Sequence, residues 1–181
     1  MEFMVVEDFF QNFNNIKDEF KKIPRYEFAD HPEGNTKMPN GETVPIDYHW
    51  PGARSEGLKQ SHKFLVALFL KEFEDKFSNF VPIVGNMSFN IRTHMRLKKD
   101  TTADWKHKDT PQSKFSLLVY LSDTNLDSGT KLYDNDENEI ADIKFVQNRA
   151  FIFNSDYTHA AIGQHGTNEN DGRLTLNVFW R

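Results

Sequence analysis

Apolar residues recur at two different periods along this chain, and the change of period divides it. Over residues 7–22, Phe9, Phe13, Ile16 and Phe20 follow at steps of four, three and four, one face of a helix. Over residues 57–79, Leu65, Phe69, Phe73 and Phe77 repeat the pattern, so two core-facing helices are predicted. From residue 81 onward the texture turns to short runs of β-formers broken by turn residues. Candidate strands lie at 87–97, 104–109, 115–121, 130–134, 140–146, 150–154, 158–162 and 173–180. Short strands at this spacing leave no room for crossover helices and point to a sandwich or jelly roll. The expected fold is mainly β with N-terminal helices. A single domain spans 1–181, with a helical part and long loop over 1–80 and a jelly-roll core over 81–181.

Between the predicted helices, residues 24–56 hold five prolines and three glycines without sustained periodicity. So long a connection is uncommon in a compact domain and often functional. It carries Tyr48, His49, Trp50 and Arg54, aromatic and cationic groups suited to substrate contact or to pinning the loop onto the body.

Composition narrows the partners. With 181 residues, 38% of them apolar, and 17 Phe, the chain can bury a sizeable core. A net charge of -5 without a basic run gives no footing for nucleic acid. No segment approaches the roughly 18 apolar residues of a membrane span, and the acidic start, MEFMVVEDFF, lacks a basic leader. A cytoplasmic protein with no membrane, nucleic-acid or obligate protein partner is expected, and the sequon at Asn86-Met87-Ser88 then counts as chance. Cysteine is absent, so a metal must be held by histidine and carboxylate, which suits iron, manganese or zinc.

One set of residues answers that requirement. His107-Lys108-Asp109 places an imidazole and a carboxylate two apart, on one side of an extended strand, and His159 follows after the turn Asn154-Ser155-Asp156-Tyr157. Two histidines and one carboxylate leave coordination positions open, as a catalytic metal requires. Arg173, after the polar loop 163–172, alternates with Leu174, Leu176 and Val178 and so is expected to face inward, where a buried arginine needs an anion. The far carboxylate of a keto acid would serve, with the Thr175 hydroxyl on the same strand face. Arg92, His94 and Arg96 alternate on an earlier strand and give either a cationic rim to the site or an exposed sheet face. Asp134-Asn135-Asp136-Glu137-Asn138 opens like a calcium loop but has Glu139 and Phe145 where glycine and glutamate belong, so it reads as a solvated turn. Neither a phosphate loop nor a serine-hydrolase elbow is present.

Taken in order, these residues resemble the iron(II)/2-oxoglutarate-dependent oxygenases, and among them the prolyl-hydroxylase-like group. The likeness runs over roughly residues 87–181 through Trp105-Lys106-His107-Lys108-Asp109, Phe115–Ser122, Ser128-Gly129-Thr130-Lys131-Leu132-Tyr133, Asn148–Asn154, His159 and Arg173-Leu174-Thr175. It implies Fe(II) on His107, Asp109 and His159, with 2-oxoglutarate as cosubstrate on Arg173 and Tyr120, and O2 as oxidant. Hydroxylation of a C–H bond would follow, with release of succinate and CO2, on a small-molecule or peptide substrate. Asp109 favours hydroxylation, since halogenating relatives lack that carboxylate. Two departures stand out. Ser128 replaces the first glycine of a usual Gly-Gly pair, and Leu97 falls where a second cosubstrate-binding tyrosine is expected. Two other readings stay open: a cupin-like metal enzyme that uses no keto acid, and an inactive jelly-roll binding or structural module.

Overall fold

In the computed structural model, which describes residues 3–30, 35–37, 43–45, 50–80, 88–100, 106–109, 113–163 and 165–180, alternation along the strands decides the architecture. Strand β7 (Phe115–Tyr120) reads as an unbroken apolar run because both its faces are covered. Leu117 and Val119 join one hydrophobic cluster and Leu118 and Tyr120 another. The same division runs through β10 (Ala150–Asn154), where Ala150 and Ile152 face one way and Phe151 and Phe153 the other.

Seven strands form the larger sheet. Its order is β1 (Phe3–Val6), β10, β7, β12 (Arg173–Trp180), β6 (Phe89–Arg96), β5 (Ala53–Arg54) and β2 (Tyr26–Glu27). All its pairings are antiparallel. A three-stranded sheet, β11 (Thr158–Ile162), β8 (Asn125–Tyr133) and β9 (Glu139–Phe145), covers its inner face. Leu132, Ile143 and Phe145 from this smaller sheet pack on Leu118, Tyr120, Phe151 and Phe153. Two facing antiparallel sheets of this kind make the jelly-roll core. Gly129 lies at a register shift in β8, where a Cβ would come within 2.4 Å of the Ile143 carbonyl oxygen. Only glycine admits that approach.

The outer face of the large sheet is buried by helices. α1 (Phe13–Lys22) contributes Phe13, Ile16 and Phe20, and α3 (Lys63–Phe77) contributes Leu65, Val66, Phe69, Phe73 and Phe77. Phe73 stacks on Trp180 of the central strand at 4.3 Å between ring centroids. Lys76 pairs with the buried Glu72 at 2.9 Å, one turn apart, so the acid on the packed face is neutralised. No helix among the described residues is long and apolar enough to cross a membrane.

Several boundaries differ from expectation. The first helix begins at Phe13, not residue 7, and the buried Phe9 and Phe10 precede it in a non-helical turn. Asp8 takes a left-handed turn, and the Asn148 side chain clips Phe10 by bonds to its N–H and carbonyl at 2.9 and 3.0 Å. The second helix breaks at His62 into α2 (Leu58–Ser61) and α3. The connection over 24–56 is not structureless: it includes β2, β5 and a separate hairpin of β3 (Asn35–Lys37) and β4 (Thr43–Pro45). The strand expected at 104–109 is replaced by one isolated bridge, His107 to His159. The short strand β1, which no apolar period marks, edges the large sheet. Tyr48, His49, Asn86, Met87 and Trp105 lie outside the described residues.

Candidate metal centre and active site

A single backbone bridge assembles the metal set. The His107 N–H donates to the His159 carbonyl at 3.0 Å and the His159 N–H returns to His107 at 2.8 Å. The two imidazoles thereby face each other at 4.2 Å between centroids. Asp109, two residues on, closes the group, and one ligand atom from each of the three lies within 4.8 Å of the others. His159 Nδ1 lies 3.4 Å from the Tyr157 carbonyl, which can only accept, so this contact favours a proton on Nδ1 and leaves Nε2 with its lone pair toward Asp109, 3.8 Å away. The ring is held further by an edge contact with Phe153. Ser116 of β7 donates a short hydrogen bond to Asp109 Oδ2 and is itself 2.8 Å from the Ser155 hydroxyl. This serine pair fixes the carboxylate from behind. Nothing local marks it in the sequence, where Ser116 is one polar residue in an apolar strand.

The register of the large sheet brings the remaining candidates into rows across its inner face. Arg54, His94, Thr175 and Tyr120 are successive cross-strand partners on β5, β6, β12 and β7. In the row on one side of it Arg96 faces Arg173, and in the row on the other side Arg92 faces Asn177. A cleft of about 460 Å³, counting space open to solvent, is lined by the three candidate ligands with Arg54, His94, Arg96, Arg173 and Thr130 among others. The exposed-face alternative for His94 and Arg96 is therefore overturned: they are 5% and 2% exposed.

Arg173 is buried, and burial lowers its pKa. Its Nη2 donates to Thr130 Oγ1 at 2.9 Å, its guanidinium carbon lies 5.5 Å from the Tyr120 and Phe145 ring centres, and its Nε has no hydrogen-bond partner. The Tyr120 hydroxyl meets the same Thr130 oxygen at 2.9 Å. Burial raises the Tyr120 pKa, which keeps the phenol protonated. Thr130, hidden in the sequence among the polar residues of β8, is thus the common partner of Arg173 and Tyr120. Thr175 is otherwise engaged: its hydroxyl lies 2.7 Å from Asn177 Oδ1 and 3.3 Å from the His94 carbonyl.

Other expected contacts fall elsewhere. Arg92 reaches back to the Ser55 carbonyl at 3.2 Å and is not among the cleft-lining residues. Trp50 is buried, edge-on to Phe28, with the Arg54 guanidinium 4.7 Å over its ring, so it braces Arg54 from behind. Leu97 packs with the helix-side core, and Arg96 is the residue of β6 that faces Arg173 from the inner side. The loop 163–172 walls a different cavity, where His165, Asp171 and Gly172 meet the far side of Arg173.

No family model matches the chain, and no curated protein sequence matches it. Similarity to solved structures is extensive in shape and low in sequence. An oxidoreductase of the 2OG-Fe(II) oxygenase family from Burkholderia pseudomallei aligns over 99% of this chain and 84% of its own, with TM-score 0.62 and 12% identity. The viral collagen prolyl hydroxylase of Paramecium bursaria Chlorella virus-1, solved with 2OG, aligns over 100% and 96%, with TM-score 0.59 and 9% identity. A Trichoplax adhaerens prolyl hydroxylase, solved with a hypoxia-inducible-factor peptide, aligns over 99% and 83%, with TM-score 0.55 and 11% identity. The fold is the one these oxygenases and prolyl hydroxylases share. Within it the chain carries a His-Asp-His group able to hold a metal.

Proposed function

We propose that this protein is an Fe(II)- and 2-oxoglutarate-dependent oxygenase that hydroxylates a C–H bond of a small molecule or peptide. The observation that carries the reading is the pairing, in one cleft, of an open-sided metal set with a buried arginine that has no carboxylate partner among the described residues. His107, Asp109 and His159 would hold the metal, because two neutral imidazoles and one carboxylate suit iron(II) and cannot close its coordination. Iron(II) with 2-oxoglutarate and oxygen supplies the oxidation, giving hydroxylated product, succinate and CO2. Arg173 would receive the far carboxylate of the keto acid, with Thr130 and Tyr120 holding the guanidinium in place. Ser116 and Ser155 keep Asp109 oriented during turnover.

The solved neighbours support both ends of this reading, since one is a 2OG complex and another holds a peptide. A cupin-like enzyme without a keto acid would leave the buried charge of Arg173 unexplained. The test is aerobic incubation of the iron-loaded protein with 2-oxoglutarate, following succinate. Release that needs iron, oxygen and the keto acid together is expected. Tight metal binding with no keto-acid binding would overturn the reading.

A further inference from the structure

The cleft holds more positive charge than the proposed chemistry uses. Arg96 and Arg173 are cross-strand partners, 2% and 5% exposed, and in both the Nε lacks a hydrogen-bond partner. Among the described residues no carboxylate oxygen lies within 4.0 Å of either guanidinium. Arg96 donates from Nη2 to the Asp100 carbonyl at 3.0 Å, while the Asp100 carboxylate turns to the Leu97 N–H at 2.8 Å. Burial, and then the nearby Arg173, pushes the Arg96 pKa down to about 10, against a smaller opposing pull from Asp100.

A buried cation without an anionic partner is costly, and two facing cations more so. On the reading above, the keto acid gives one carboxylate to the metal and the other to Arg173. With a divalent metal in place, Asp109 and the doubly charged keto acid offset all but one of the positive charges on the metal, Arg96 and Arg173. The charge left over sits on Arg96. Arg54 adds to the same field from the neighbouring strand, its guanidinium braced on Trp50. His94, between them, adds none: burial holds its pKa well below the ordinary value, and its Nε2 donates to the Pro51 carbonyl at 2.6 Å.

We propose that the substrate oxidised in this cleft carries an anionic group, a carboxylate or a phosphate, that docks on Arg96 on the side of the cleft bordered by Arg54. This assignment rests on the keto-acid reading of Arg173. A planar guanidinium pairs with two oxygens at once and would thereby fix the orientation of the substrate as well as bind it. The metal set lines the same cleft, so an anion held at Arg96 leaves the rest of the molecule beside the metal.

The test uses manganese(II)-loaded protein saturated anaerobically with 2-oxoglutarate and titrated with inorganic phosphate or, separately, acetate. Broadening of the anion's nuclear resonance by the manganese reports its binding in the cleft. Saturable broadening by phosphate, acetate or both is expected in the wild type, and whichever anion binds identifies the acid group favoured. Arg96→Gln should weaken it by roughly tenfold or more, which is about 1.4 kcal/mol, while 2-oxoglutarate affinity stays within about threefold. Arg96→Lys keeps the charge without the fork and should fall between the two, which guards against a misfolded glutamine variant. Absence of saturable broadening, or equal broadening in Arg96→Gln, would overturn the proposal. So would a tenfold loss of 2-oxoglutarate affinity in Arg96→Gln, because Arg96 would then belong to the cosubstrate. Failure of the wild type to bind 2-oxoglutarate would instead overturn the oxygenase reading, and the anion titration can still be read on the manganese protein alone.

Discussion

Single side chains in the cleft have separable duties, and their removal should separate them. His107→Ala or Asp109→Ala should abolish turnover and strip most of the metal affinity, since each removes one of only three protein ligands of an open-sided ion. Metal titration followed by equilibrium dialysis checks this, and wild-type affinity in both variants would remove the metal assignment. Arg173→Ala should leave metal affinity nearly intact and weaken 2-oxoglutarate. Truncating one partner of a buried charged pair costs on the order of 2–5 kcal/mol, which is roughly 30-fold or more. Arg173→Lys should recover only part, because a point charge does not reproduce the fork. Anaerobic calorimetry reads both variants, and undiminished binding in Arg173→Ala would shift the balance to a metal enzyme without a keto acid.

Elements were legible in the sequence wherever burial repeats with a period. β10, β11 and β12 have the limits that alternation and turn residues predict, and α3 shows its aromatic face at helical spacing. The His107-x-Asp109 pair and the inward Arg173 were legible too, because spacing alone puts side chains on a common side. What escaped depends on distant partners. β1, β5 and β2 are strands only because β10, β6 and β5 in turn offer them an edge, and no local pattern of two to four residues announces that. Ser116, Ser155 and Thr130 matter through contacts with residues far along the chain, so their roles had no local signature. The helix layer carries its own prediction. Phe73 is fully buried between Phe69, Phe77 and Trp180, so Phe73→Ala should cost about 3–5 kcal/mol through lost burial and the cavity left behind. Denaturant unfolding checks this, and a loss under about 1 kcal/mol would mean that α3 is not integral to the core.

Across the whole protein, the buried imidazoles set a limit on the acid side. His165 is held neutral down to about pH 3, first by burial and then by Arg173 and Arg96, whereas an unfolded histidine takes up its proton near 6.5. Below the unfolded value the unfolded chain binds more protons than the folded one, so stability falls with falling pH. The loss should develop from about pH 6.5 toward 3 and be absent above that range. Replacing His165 by Gln should flatten the acid limb of a stability profile, and an unchanged limb would show that its protonation is not what limits the fold. The strand order has a temporal meaning as well. β12 lies at the centre of the large sheet, between β7 and β6, yet it is the last of these strands in the chain. On the ribosome, β6 and β7 therefore emerge without the strand that joins them, and Arg173 arrives after every metal ligand has been made. β6 has β5 and β7 gains β10 on its other edge, but the two edges that meet β12 wait for residues 173–180, so the seven-stranded sheet and its cleft can close only once translation has passed this strand.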